Sequence, residues 1–150
     1  MASQSHSSID GNVSLKVISF NARGLRTHKK RRALFHIFKK KNYDIICIQE
    51  SHLIKSDSSL IDKDWCSKYH LAEGTKNSKG LLTLFNKRFQ ETSLFPIKVS
   101  DRCLISQLTI DNMSFYIVNV YAPCIDAEKY LFLNNITHYV NEIQPSQDFN

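Results

Sequence analysis

The chain has only four glycines and three prolines in 150 residues. So little glycine leaves no Gly-rich loop of the kind that cradles nucleotide phosphates. No HExxH zinc signature and no internal repeat is present either. The four cysteines, Cys47, Cys66, Cys103 and Cys124, are far apart and form no CxxC pair, which argues against a zinc site built from thiolates. No apolar run approaches the length needed to cross a bilayer. The opening MASQSHSSIDGNVS has no hydrophobic segment of the secretory type. These absences predict a protein of the nucleus or cytoplasm, not secreted, with reduced thiols and no membrane partner. Residues 1–14 read as a disordered leader outside the fold, and residues 15–150 as one domain with a real core.

A further absence is local. From Arg23 to Lys41 there are nine Lys/Arg and no acid, whereas the other residues hold eleven Lys/Arg against fourteen Asp/Glu. The net charge of +6 is therefore +9 in one segment and −3 elsewhere. Such localisation is an electrostatic footprint for a polyanion, although one basic helix face is equally an ordinary solvated surface.

The remaining composition is that of a globular protein, with 42% hydrophobic, 23% charged and 11% aromatic residues. The chain is organised around Tyr43–Leu53, YDIICIQESHL. Ile45-Ile46-Cys47-Ile48 is strand-length and apolar throughout, as suits a strand covered on both faces. It stops at Gln49-Glu50-Ser51-His52. A carboxylate just past a buried strand lies where open α/β sheets build ligand sites, or is simply the first solvated residue. Upstream, Leu15–Phe20 is a second apolar strand ending at Asn21, followed by a tight turn through Gly24. Residues 27–41 carry Leu34, Phe35, Ile37 and Phe38 on one stripe of a helix, with Thr27 as its cap. Strand, helix, strand at this spacing implies parallel strands in a layered α/β architecture.

Downstream the pattern becomes a β-meander. Ser56–Asp64 reads as loop or short helix, Trp65–Ala72 and Gly80–Phe85 as strands, and Leu94–Val99 as an edge strand because of Pro96. Cys103–Ile110 and Met113–Tyr121 flank Asp111-Asn112, a hairpin signal. Asp126–Ile143 is a helix with Asp126 as N-cap and a stripe of Leu133, Ile136, Val140 and Ile143.

Three strand ends thus carry polar groups: Asn21 in ISFNARGL, Glu50 in IICIQESHL and Tyr121 in IVNVYAP. Alone they are a turn Asn, a strand-end Glu and an aromatic before a turn. In order and in context, they resemble the endonuclease/exonuclease/phosphatase superfamily, and more narrowly the endonuclease domain of LINE-type (non-LTR) retrotransposons. The resemblance runs from about Leu15 to the end of the chain and includes KGLLTLFNKRF as the middle strand and turn. Repair-type apurinic endonucleases usually carry an acid two positions after the first Asn. Arg23 stands there instead, which tilts the resemblance toward the retrotransposon branch.

The resemblance implies a four-layer α/β/β/α sandwich and a metal-dependent DNA-nicking endonuclease. Glu50 would be the ligand of Mg2+, with Mn2+ as an alternative; Asn21 would bond around the phosphate or the metal-bound water. Tyr121 would set its phenol against the scissile phosphate. Cleaving a phosphodiester calls for such a cation, and magnesium is content with one or two carboxylates plus water and phosphate oxygens. Arg23 and Arg26 are the DNA-contact candidates, ahead of Lys39–Lys41, and His52 is a surface or substrate-facing residue. A monomer is expected, with a reverse transcriptase downstream in a full-length protein. The family's next motif is GDFN; the closing Gln147-Asp148-Phe149-Asn150 looks like it but lacks the preceding apolar strand, so Asp148 and Asn150 read as a decoy. On that reading the chain covers the N-terminal two-thirds of such a domain and has little or no nuclease activity. A phosphoesterase for small or lipid substrates on the same fold, and an inactive remnant that only binds nucleic acid, are the competing expectations.

Overall fold

The computed structural model describes residues 3–9 and 13–143. Two sheets pack face to face. The first contains β1 (Ser3–Ile9), β2 (Val13–Asn21), β3 (Ile45–Gln49), β4 (Tyr69–Ala72) and β5 (Leu81–Phe85), in the order β1-β2-β3-β5-β4. The second is β6 (Leu94–Val99), β7 (Cys103–Ile110) and β8 (Met113–Val120), paired in sequence order. Helices α1 (His28–Lys40) and α2 (Ser58–Trp65) cover the first sheet. Helix α3 (Asp126–Ile143) lies on the far side of the second, where the Tyr139 hydroxyl donates to the Ile97 carbonyl and the Tyr116 hydroxyl to that of Ile143. The result is an α/β/β/α sandwich.

The parallel pair β2–β3 is joined by α1, as the strand–helix–strand pattern required. β3 is buried on both faces because alternate side chains serve different layers. Ile46 and Ile48 meet Phe35, Phe38, Leu82, Leu84 and Trp65 beneath the helices. Ile45 and Cys47 meet Phe85, Phe89 and Leu108 between the sheets. Burial raises the Cys47 thiol pKa to about 12, so it is an apolar filler rather than a nucleophile. Pro96 sits in the edge strand β6, where the register shifts between Pro96 and Lys98. Asp111 and Asn112 turn the β7–β8 hairpin with φ of 49° and 64°, the left-handed pair a two-residue turn demands.

Several expectations are corrected. Ser3–Ile9 is not a disordered leader: it pairs antiparallel with β2, which itself starts at Val13 rather than Leu15. Trp65 is not in a strand but ends α2, where its indole N–H donates to the Phe85 carbonyl and its ring meets Phe35 edge-on. Thr27 does stand at the N-cap of α1, though its side chain makes no cap bond, whereas Asp126 is the first helical residue of α3 rather than its cap. Of the apolar stripe of α3, Ile136, Val140 and Ile143 are half-buried while Leu133 is 43% exposed. Asp148 and Asn150 lie outside the described residues. Among the described residues, no helix is long and apolar enough to cross a membrane.

The basic segment also divides. Arg31 is 1% exposed; its Nε donates to Asp64 Oδ2 at 2.7 Å, and Nη1 donates to the Leu25 and Arg26 carbonyls at 3.1 Å each. Lys30 donates to the Ala22 and Arg23 carbonyls, and Lys39 to the Asp64 carbonyl. These three cations hold α1 to its surroundings.

Candidate active site

Asn21, Glu50 and Tyr121 stand at the ends of β2, β3 and β8, and the fold brings all three to one edge of the sandwich. β2 and β3 are parallel neighbours in which Asn21 pairs with Gln49, so Asn21 and Glu50 emerge side by side. The Asn21 amide donates to Glu50 Oε1 at 2.8 Å, while its Oδ1 accepts from the Arg23 N–H at 3.1 Å. Tyr121 arrives from the second sheet. Its ring packs on Ala72, Leu81 and Leu104, and its phenol is directed at the same carboxylate.

β3 ends at Gln49, and the chain then takes left-handed backbone at both Glu50 (φ 50°) and His52 (φ 54°). Neighbouring backbone fixes this path: Gly24 N–H donates to the Glu50 carbonyl at 2.7 Å, Leu25 N–H to Ser51, Ser51 N–H to Gly80, and His52 N–H to Lys79. Two glycines make room. At Gly24 (φ +90°) a Cβ would come within 3.0 Å of the His52 ring, and at Gly80 (φ +85°) within 2.7 Å of Ser51 Oγ. Although the strand has ended, His52 Nε2 lies 3.9 Å from Glu50 Oε2. His52, expected as a surface or substrate-facing residue, thus lies beside Glu50.

The Asn21 amide holds the Glu50 carboxyl below its ordinary range, against a smaller desolvation effect, with help from Tyr121, His52 and Arg23. The Tyr121 phenol is raised, chiefly by its hydrogen bond to Glu50. At neutral pH the site therefore holds a carboxylate next to a protonated phenol. Among the described residues no three His, Cys, Asp or Glu converge into a cage. A single charged oxygen ligand still fits magnesium, which keeps several waters and takes phosphate oxygens.

Arg23 is exposed on the turn beside Glu50 and contributes to lowering its pKa. Arg26 is partly diverted by an ion pair with Asp57 at 3.4 Å. Sequence reasoning missed the polar group beneath the site. Asn119, 1% exposed, donates to the Ile48 and Leu82 carbonyls and Thr83 Oγ1, and accepts from Gln49 Nε2 at 2.8 Å. This ties β8 to β3 just behind Tyr121 and Glu50. Its signal was an asparagine at an inward position of IVNV, in step with Phe115 and Ile117. Arg102, whose guanidinium lies 5.4 Å from the Tyr121 ring centre and donates to the Tyr121 carbonyl, was also missed. Two concavities, about 750 and 330 Å³, lie at the opposite end of the sheet around Cys66, Ser67 and Lys87, away from Glu50.

Residues 18–148 match the endonuclease/exonuclease/phosphatase family. The chain belongs to that family. It is 23% identical over 136 residues to the Transposon TX1 uncharacterized 149 kDa protein of Xenopus laevis, covering 90% of this chain and 10% of that one. The fold is similar to that of the endonuclease domain of TRAS1, a telomere-specific non-LTR retrotransposon (TM-score 0.60, 13% identity, 87% of this chain and 56% of that one). It is also similar to D. rerio TDP2 complexed with a single-strand DNA product (TM-score 0.57, 20% identity, 87% and 56%). The chain therefore spans a tenth of the curated relative and little more than half of each of these structures.

Proposed function

We propose that this chain supplies the carboxylate-bearing part of a metal-dependent DNA-nicking endonuclease from a non-LTR retrotransposon, in which a reverse transcriptase follows downstream. The observation that carries this reading is the ionised Glu50 gripped by Asn21 at 2.8 Å with Tyr121 beside it. Asn21 holds Oε1, and a cation, Mg2+ or Mn2+, would take the remaining lone pairs of the carboxylate, displacing the Tyr121 O–H from it. Bound there, the cation would neutralise charge on the phosphoryl oxygens. Tyr121, kept protonated, would turn its single O–H from Glu50 to a phosphate oxygen once DNA is bound. Arg23, and more weakly Arg26, hold the DNA backbone near the site by charge. The transposon relative, the TRAS1 endonuclease fold and the similarly folded TDP2 with its single-strand DNA product support DNA as the substrate.

The described residues supply this electrostatic clamp but no group placed as a general base. On this reading the 150-residue chain retains DNA and divalent metal yet nicks at background level. The test is Mn2+ binding by electron paramagnetic resonance and supercoiled-plasmid nicking with Mg2+, each on the chain and its Glu50→Ala variant. Metal binding that the variant loses, with background nicking in both, is the expected result. Metal affinity unchanged by Glu50→Ala would overturn the role of Glu50. Brisk nicking by the chain would overturn the missing base.

A further inference from the structure

Helix α1 starts at the site edge, just past Asn21, and runs back along the sheet to the start of β3. At about 100° and 1.5 Å per residue, Lys29, Arg32, His36 and Lys40 fall within an arc of about 80° and a length of about 16 Å. That arc lies opposite the buried Arg31, Phe35 and Phe38. All four ridge residues are exposed. Unlike Arg31, Lys30 and Lys39, they do not tie α1 to the fold: Arg32 alone approaches an acid, Asp64 at 4.0 Å, while remaining 65% exposed.

Such a ridge is not what α1 needs for its own stability. Exposed helix faces are stabilised by acids three or four residues from bases, whereas here Lys29 is followed three residues on by Arg32 and no acid occurs from Arg23 to Lys41. The first turn, where an acid would favour the helix dipole, has none. A row about 16 Å long with three cations, Lys29, Arg32 and Lys40, and the hydrogen-bonding ring of His36 between them matches about five phosphate steps of one DNA strand, at 3.4 Å each. We propose that this ridge is a second DNA-backbone contact, which carries duplex flanking the scissile phosphate away from Glu50 along α1. The proposal deepens the endonuclease reading, because it gives the DNA a direction across the protein.

The test separates the ridge from the metal site by working in EDTA. A fluorescein-labelled 20-base-pair DNA duplex is titrated with the chain, with Lys29→Gln/Arg32→Gln/Lys40→Gln, and with a control of equal charge change, Lys63→Gln/Lys87→Gln/Lys129→Gln, over a series of salt concentrations. Each phosphate contact contributes about 0.9 to the slope of log affinity against log salt. The ridge variant should lose about 2–3 from that slope, the control less than 1, with both keeping the wild-type circular dichroism spectrum. An unchanged slope in the ridge variant, equal losses in both variants, no retention of duplex DNA by the wild type at low salt, or tighter retention of an RNA duplex would each overturn the proposal. Because EDTA removes the divalent metal, the salt slope carries no contribution from metal held at Glu50, so a failed metal site and a failed ridge are read independently.

Discussion

Replacing Arg31 by methionine tests whether the most basic segment of this chain is partly a core element. In the fold the Arg31 guanidinium is 1% exposed, bonds Asp64 at 2.7 Å and satisfies the Leu25 and Arg26 carbonyls. Arg31→Met keeps the apolar stem but leaves the Asp64 side chain, 5% exposed, facing only the distant Arg32. Stranding one member of a buried ion pair costs about 3–5 kcal/mol. With a urea m-value of about 2 kcal/mol/M, that moves the midpoint down by about 2 M. Arg31→Met/Asp64→Leu removes the stranded charge and leaves only two carbonyls short of a donor, a loss of about 1–2 kcal/mol. The double variant is therefore expected to be more stable than the single one, an inversion that surface charge removal cannot produce. Trp65, the sole tryptophan and buried against Phe35, reports unfolding by fluorescence. A single variant within 1 kcal/mol of wild type, or a double variant no better than the single, would refute the reasoning.

Asn119→Leu keeps the volume but deletes the bonds joining β8 to β3 and β5, and should lower stability by about 2 kcal/mol net of the added apolar burial, read from the same urea midpoint. His70 packs on Phe85 with Nδ1 2.7 Å from Ser106 Oγ, and burial lowers its pKa from 6.5 to about 4. The fold thus favours the neutral ring: that stability is fully present above pH 6.5 and is lost as pH falls toward 4, so His70→Gln should show a flatter midpoint-versus-pH curve over that window. Gly80→Ala should destabilise more than Gly24→Ala in thermal unfolding. Both require positive φ, but the new Cβ at Gly80 meets Ser51 Oγ at 2.7 Å and the Gly74 backbone at 3.0 Å, whereas at Gly24 it meets one ring that can shift.

What was legible in the sequence is what local physics dictates. The apolar run of β3, the Asp111-Asn112 turn, the Pro96 edge and the span of α3 each follow from periodicity or backbone chemistry within a few residues. The trio Asn21, Glu50 and Tyr121 was legible as strand ends, and the fold brings them together. The rest was set by distant partners. Trp65 joined a helix because its indole needed the Phe85 carbonyl. Ser3–Ile9, polar and unremarkable alone, became a strand because β2 offered a free edge. Arg31 read as surface charge because nothing in its own neighbourhood announces Asp64, thirty-three residues away. His52 came to face Glu50 through two left-handed residues, a path invisible to a strand-period argument.

The two sheets are consecutive in the chain: the first uses residues 3–85 and the second 94–120, with no strand of one inserted into the other. During synthesis the first sheet is complete before the second exists. At about 5–20 residues per second, the thirty-five residues from Phe85 to Val120 take about 2–7 s to add. For that interval the face bearing Ile45, Cys47 and Phe85 has no partner layer, and its late closing step is marked by the Gln49–Asn119 bond across seventy residues. The nascent chain is thus most exposed to chaperone capture or misassociation while β6 to β8 are being made, and slowing translation there should lengthen its chaperone-bound lifetime.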